Sequence, residues 1–175
     1  REIIRAHLPW GLPRPAGRDS SEKLLVQPDY VILYDTDLAA PLWVAYKLRA
    51  SNLRLDPQAG ARRVEAFRPD PRLSPEESAQ MADFRWKEPA SNGSEADKRR
   101  RSDFDMGHMA PNADFQHQVS AMVNTYILSN ICAQYWRFNQ VTWRVLEERV
   151  RKSVSPDSPV WVTTGSVFDA DGNGR

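Results

Sequence analysis

The chain has 175 residues, 41% of them apolar and 27% charged, fractions that exclude a low-hydrophobicity disordered chain and fit one domain. Its 24 Lys and Arg against 23 Asp and Glu leave a formal net charge of +1, so a polyanionic partner must be met by a local basic patch. No apolar run reaches the roughly 18 residues that span a bilayer. The start, Arg1-Glu2-Ile3-Ile4-Arg5, is too charged for a secretory leader, and the sequence predicts a soluble domain without membrane insertion.

Residues 1–22, rich in Pro, Gly and Arg, are expected to form an irregular arm. Tyr30–Tyr34 and Leu42–Leu48 read as two strands around a polar turn, an antiparallel pair. Ser74-Pro75-Glu76-Glu77 is the one helix signal in the polar stretch 54–102, with Ser at the N-cap and Pro at the first helical position. Gly93–Arg101 ends in the basic run Lys98-Arg99-Arg100-Arg101, whose plain reading is a solvated loop. Further on, a helix is expected over Gln116–Asn124, a buried strand over Thr125–Ile131 and a strand over Val160–Val167. Asn139–Lys152 is the clearest helix, with Val141, Val145, Leu146 and Val150 at helical spacing.

The single cysteine, Cys132, permits no intrachain disulfide and sits in an apolar stretch, as a small core residue does. Asn92-Gly93-Ser94 is a glycosylation sequon that matters only after secretion. His7 and His117 read as structural histidines. Trp136 and Trp143 read as packing aromatics.

Chemistry concentrates after position 103. Asp105-Met106-Gly107-His108 places a glycine, which lets the backbone approach a neighbour closely, beside a histidine. Asn139 opens the strong helix and Glu147 follows eight residues on, about 800° of turn, so the two side chains lie roughly 80° apart on one side. An amide oxygen near a carboxylate is a hard-oxygen environment suited to Mg²⁺ or Mn²⁺ that keeps most of its waters.

These segments resemble the DNA/RNA non-specific endonucleases of the ββα-metal superfamily. That family carries Asp-Arg-Gly-His, a Tyr-x-Leu-Ser-Asn strand and an Asn-Gln-x-x-Trp-x-x-Leu-Glu helix. Here they stand as Asp105–His108, Tyr126-Ile127-Leu128-Ser129-Asn130 and Asn139–Glu147. The resemblance implies an α+β fold, an antiparallel sheet packed by helices, with residues 103–152 as the catalytic core of a single domain spanning 1–175. It implies hydrolysis of phosphodiester bonds in DNA, RNA or both, with His108 as general base and Asn139 as the one direct ligand of Mg²⁺ or Mn²⁺. Glu147 would hold metal-bound water, Asn130 would support the site, Asp105 would steady the histidine segment and Arg151 would neutralise a phosphate oxygen. Met106 replaces the family arginine and removes one phosphate-facing charge, whereas Arg62 or Arg63 corresponds loosely to another.

The start of the chain and Val167–Gly172 are also similar to the nuclease-like domain of nucleotide pyrophosphatase/phosphodiesterases, which implies the same fold without catalysis. A non-catalytic scaffold or partner-binding module is therefore the alternative. Asp169, Asp171 and Asn173, with Gly174 at the sixth position, match the opening of a structural Ca²⁺ loop, and a Gly-rich turn fits them equally. By the resemblance the length is short for this fold, and a secreted or organelle-lumen location is favoured. Strand preference and oligomeric state stay open at this level.

Overall fold

Short apolar runs bounded by Asp, Asn, Gly and Pro favour strands joined by turns over long helices. The computed structural model describes residues 1–13, 20–56, 67–84 and 104–167. Its elements in chain order are α1 (Glu2–His7), β1 (Glu22–Val26), β2 (Val31–Asp35), β3 (Ala40–Leu48), β4 (Phe104–His108), α2 (Val119–Asn124), β5 (Ile131–Tyr135), α3 (Arg144–Ser153) and β6 (Val160–Gly165). Strands β1-β2-β3-β6 form an antiparallel sheet in that order, and β4 and β5 form a separate antiparallel ribbon. The fold is α+β, as the sequence implied.

Both sheet faces are covered, which is why β2 is buried along its whole length. Tyr30, Ile32, Tyr34, Val44, Tyr46 and Leu48 pack with Met109, Ala110 and Phe115 on one face. Val31, Leu33, Trp43 and Ala45 pack with Leu8 and Ile4 on the other. The β2–β3 turn is tied by Asp35, whose carboxylate accepts the backbone N–H groups of Asp37 and Leu38 at 2.9 and 3.0 Å.

The second face corrects the expected irregular arm, because part of residues 1–22 is helical. Six residues cannot hold a helix by propensity; α1 persists because Ile4 and Leu8 dock on the sheet. His7 completes the docking. Its Nδ1 accepts the N–H of Lys47 at 3.0 Å, so its Nε2 carries the proton and donates to the Pro28 carbonyl at 3.1 Å. Burial holds its pKa below the ordinary histidine value.

Three other elements differ from the sequence reading. Ser74–Glu77 closes into a turn: the Glu77 carboxylate accepts the Ser74 N–H, but Lys23 binds the same side chain and the chain then buries Ser78 and Ala79. The apolar run expected as a strand over Thr125–Ile131 is instead a buried 3₁₀ turn, Leu128–Asn130, with β5 starting only at Ile131. Apolarity reported burial correctly there, but periodicity in so short a run does not separate strand from turn. The helix expected over Asn139–Lys152 is a π-helical segment, Phe138–Trp143, continuing into α3. Arg62, Arg63, Asn92, the Lys98–Arg101 run and the Asp169–Gly174 loop lie outside the described residues.

Candidate active site

The β4–β5 ribbon pairs Asp105 with Gln134, Gly107 with Cys132 and His108 with Ile131. A Cβ at Gly107 would overlap the Gln134 side chain that crosses it, so a larger residue there requires Gln134 to move aside. The role of Gly107 is therefore close approach within the ribbon, and no left-handed backbone is involved. Cys132 lies beneath, its thiol donating to Met109 Sδ at 3.4 Å. Burial pushes that thiol's pKa up, the opposite of what a nucleophile needs.

His108 ends β4. Its half-buried ring packs against Tyr126, perpendicular at 4.9 Å between centroids, and against Phe67 at 5.7 Å. Its carbonyl accepts from Trp143 Nε1 at 3.3 Å, which ties the strand end to the π-helical segment.

Past His108 the chain is clamped by Asn130, whose side chain is 0% exposed. Asn130 Oδ1 accepts the Ala110 N–H at 2.9 Å, while Nδ2 donates to the carbonyls of Ala110 (2.9 Å) and Thr125 (2.8 Å). Its carbonyl accepts the Met109 N–H at 2.9 Å. These bonds point Asn130 into the loop after His108 and away from any ligand. Beside it, Ser129 donates to Asp70 at 2.6 Å, and Arg72 donates to both Asp70 oxygens. These bonds hold the Asp70 carboxyl below its ordinary pKa although burial, the largest single influence, opposes them.

Asp105 faces the helix. Its Oδ2 accepts from Asn139 Nδ2 at 3.0 Å and Gln140 Nε2 at 2.8 Å. A carboxylate only accepts, so the contact assigns the Asn139 amide: nitrogen toward Asp105, oxygen away from it. That leaves one hard oxygen of defined orientation at the helix start, the donor a Mg²⁺ or Mn²⁺ ion takes. Among the described residues no three His, Cys, Asp or Glu side chains converge on one point. A cation held by one amide oxygen and several waters requires no such cluster, so the residues present fit it.

One turn apart on α3, Glu147 and Arg151 meet a residue that the sequence reading did not single out. Arg151 Nη1 donates to Asp114 at 2.8 Å and lies 3.8 Å from Glu147. Tyr46 donates to the other Asp114 oxygen at 2.7 Å. Asp114, 1% exposed, keeps a raised pKa because burial outweighs both bonds. Glu147 is pushed up to about 7, by burial first, with Arg151 pulling down and Asp114 pushing up. Two carboxylates thus share one guanidinium. Arg151, expected to neutralise a phosphate oxygen, is paired here with Asp114 and lies near Glu147. Its partner Asp114 lies 37 positions earlier, with no motif around it to mark it.

The model of the DNA/RNA non-specific endonuclease family matches residues 15–173. The chain belongs to the DNA/RNA non-specific endonuclease family. It is 34% identical over 167 residues to the mitochondrial endonuclease G of Homo sapiens, covering 93% of this chain and 48% of that protein. It is 31% identical over 159 residues to the mitochondrial nuclease EXOG of Danio rerio, covering 91% and 40%. The chain therefore spans about half the length of these curated relatives or less. A solved structure, titled as the EndoG/EndoGI complex and the mechanism of EndoG inhibition, superposes with a TM-score of 0.71 at 26% identity, covering 98% of this chain and 63% of that one. The fold of this family member is accordingly the ββα-metal nuclease fold, with the β4–β5 ribbon and the Phe138–Ser153 helical segment as its ββα unit. No helix among the described residues is long and apolar enough to cross a membrane.

Proposed function

We propose that the chain carries the catalytic unit of a metal-dependent endonuclease that hydrolyses phosphodiester bonds in DNA, RNA or both with little sequence specificity. The observation that carries this reading is the Asp105–Asn139 hydrogen bond, which presents an amide oxygen at the start of the helix joined to the His108 strand.

Asn139 would hold the Mg²⁺ or Mn²⁺ ion and Glu147 would accept hydrogen bonds from its waters. A cation there supplies positive charge to the phosphate and the departing 3′ oxygen. His108, as neutral imidazole, takes the proton of the water that attacks phosphorus. The new P–O bond forms as the P–O3′ bond breaks, and the 3′ oxygen leaves to be protonated by solvent. Asp105 orients Asn139. Arg151 restrains Glu147, and any phosphate contact it makes is shared with its two acids. Asn130 serves the site indirectly by fixing the loop after His108.

The relatives named as mitochondrial support an organelle location. The resemblance read from the sequence to the nuclease-like domain of nucleotide pyrophosphatase/phosphodiesterases would belong to the alternative reading of a non-catalytic module; the comparisons do not show it, and Asp169, Asp171 and Asn173 lie outside the described residues. The same assay separates the two. Plasmid and RNA degradation is measured in Mg²⁺ or Mn²⁺, with and without EDTA, for wild type and His108→Ala. The nuclease reading expects loss of about 10²–10⁴-fold in the variant and abolition by EDTA. Wild type that cuts nothing in either metal, or a variant that cuts equally fast, overturns it.

A further inference from the structure

Strand alternation places Phe104, Met106 and His108 on one face of β4, opposite Tyr135, Ala133 and Ile131 of β5. The inner part of this face is buried: Ile131 is in the core and Met106 packs on the Ala79–Leu128–Ile131 cluster. The outer part is open. Phe104 is 45% and Tyr135 46% exposed, and their rings meet edge to face with centroids 6.4 Å apart. Trp136 continues the surface at 6.2 Å from Tyr135, and the exposed Arg137 holds its guanidinium 5.1 Å from the Trp136 ring. Ala133, small and exposed, lies between this surface and His108.

We propose that Phe104, Tyr135 and Trp136 form a stacking platform for unpaired nucleobases of the substrate strand, giving the enzyme a preference for single-stranded nucleic acid. The proposal rests on the nuclease reading above and names its substrate class. Stacking on aromatic rings is indifferent to base identity, because every base has a π-face, and a neighbouring arginine adds cation–π and phosphate attraction. The position suits that occupant. Phe104 is four residues from His108, about 13 Å along the strand, the reach of a few nucleotides from the bond that His108 would attack. Phe104 shares its face of β4 with His108, so a strand whose base is seated there runs toward the histidine. A duplex buries its base faces in its own stack and gains little from the platform.

The test uses the full-length protein. Affinity for a fluorescent oligo-dT and for a duplex of equal length is measured by anisotropy in EDTA. Hydrolysis efficiency is then compared between the single strand and methyl p-nitrophenyl phosphate, a phosphodiester with no base. Phe104→Ala and Tyr135→Ala are expected to weaken oligo-dT binding about tenfold each, within the range of one lost stacking contact. They should lower the ratio of single-strand to nitrophenyl-ester efficiency by a similar factor, with Tyr135→Trp restoring it. Unchanged oligo-dT affinity in both alanine variants overturns the platform. So does a change in oligomeric state or a melting-temperature loss that Tyr135→Trp also shows, because the rings would then be covered by protein. A wild type that binds oligo-dT through Tyr135 and cleaves neither substrate overturns the nuclease reading alone.

Discussion

Asn139 Nδ2 donates to Asp105 Oδ2 across 3.0 Å, and the amide oxygen therefore has one orientation. Asp105→Asn places a second amide opposite the first, so either end of Asn139 finds a partner and the oxygen loses its fixed direction. The Mn²⁺ concentration giving half-maximal cleavage is expected to rise about 10- to 100-fold, the usual effect of losing a residue that orients a ligand. A metal titration of cleavage checks this, with the fold monitored by circular dichroism.

Glu147 supplies a pH dependence of stability. Its pKa is raised to about 7 in the folded protein from the ordinary glutamate value of 4.5. Between those values the folded state binds more protons than the unfolded state, so this group's contribution is full below about 4.5 and is lost as pH rises through about 7. The loss is bounded at about 3 kcal/mol. Urea melts in EDTA at about pH 5 and about pH 8 should show Glu147→Gln gaining stability relative to wild type at the higher pH. An equal difference at both pH values contradicts the assignment. Added Mn²⁺ should offset the wild-type loss, because a bound cation favours the ionised carboxylate.

Asn130 makes three side-chain hydrogen bonds in a fully buried position. Asn130→Ala strands the Ala110 N–H and leaves two carbonyls short of a donor, an expected cost of about 2–4 kcal/mol. Activity and melting temperature should fall together, and lowering the assay temperature should recover much of the rate. A large rate loss at unchanged stability would move Asn130 back among the residues facing substrate.

His7 gives the opposite pH sign. Its folded pKa lies below 6.5 because burial disfavours the charged ring. The fold therefore binds fewer protons there, and stability falls as pH drops below about 6.5. Protonation also removes the acceptor for Lys47 N–H. Loosening of α1 should be visible as faster amide exchange at Leu8 and Lys47 at about pH 5 than at about pH 7, after correction for intrinsic rates. Equal corrected rates would show that His7 does not govern the docking of α1.

Much of the architecture was legible because it is local. Val31–Asp35, Ala40–Leu48 and Val160–Gly165 are β-rich runs between turn residues, and each is a strand. The α+β class followed from such runs and from the motif resemblance. Element type failed where tertiary bonds outweighed local pattern. The helix in the arm exists only because the sheet's second face needs covering, and Leu128–Asn130 turns because Ser129 and Asn130 reach Asp70 and Ala110.

By itself the sequence determined which chemistry-bearing residues the chain carries and at what spacing: a histidine beside a glycine, and an amide and a carboxylate eight residues apart. Spacing placed the amide and the carboxylate on one continuous helical segment, but the angle between them was set by the π-helical turn at Phe138–Trp143, which the pattern does not mark. Tertiary structure alone decided how the side chains are engaged. It turned the Asn139 oxygen away from Asp105, drew Arg151 between Glu147 and the distant Asp114, sealed Asn130 in a loop clamp and left Phe104 and Tyr135 open on the ribbon. Hydrogen bonds and ion pairs between residues 20 to 59 positions apart form only when the sheet and helices bring those positions together, and nothing in a local stretch of sequence encodes that meeting.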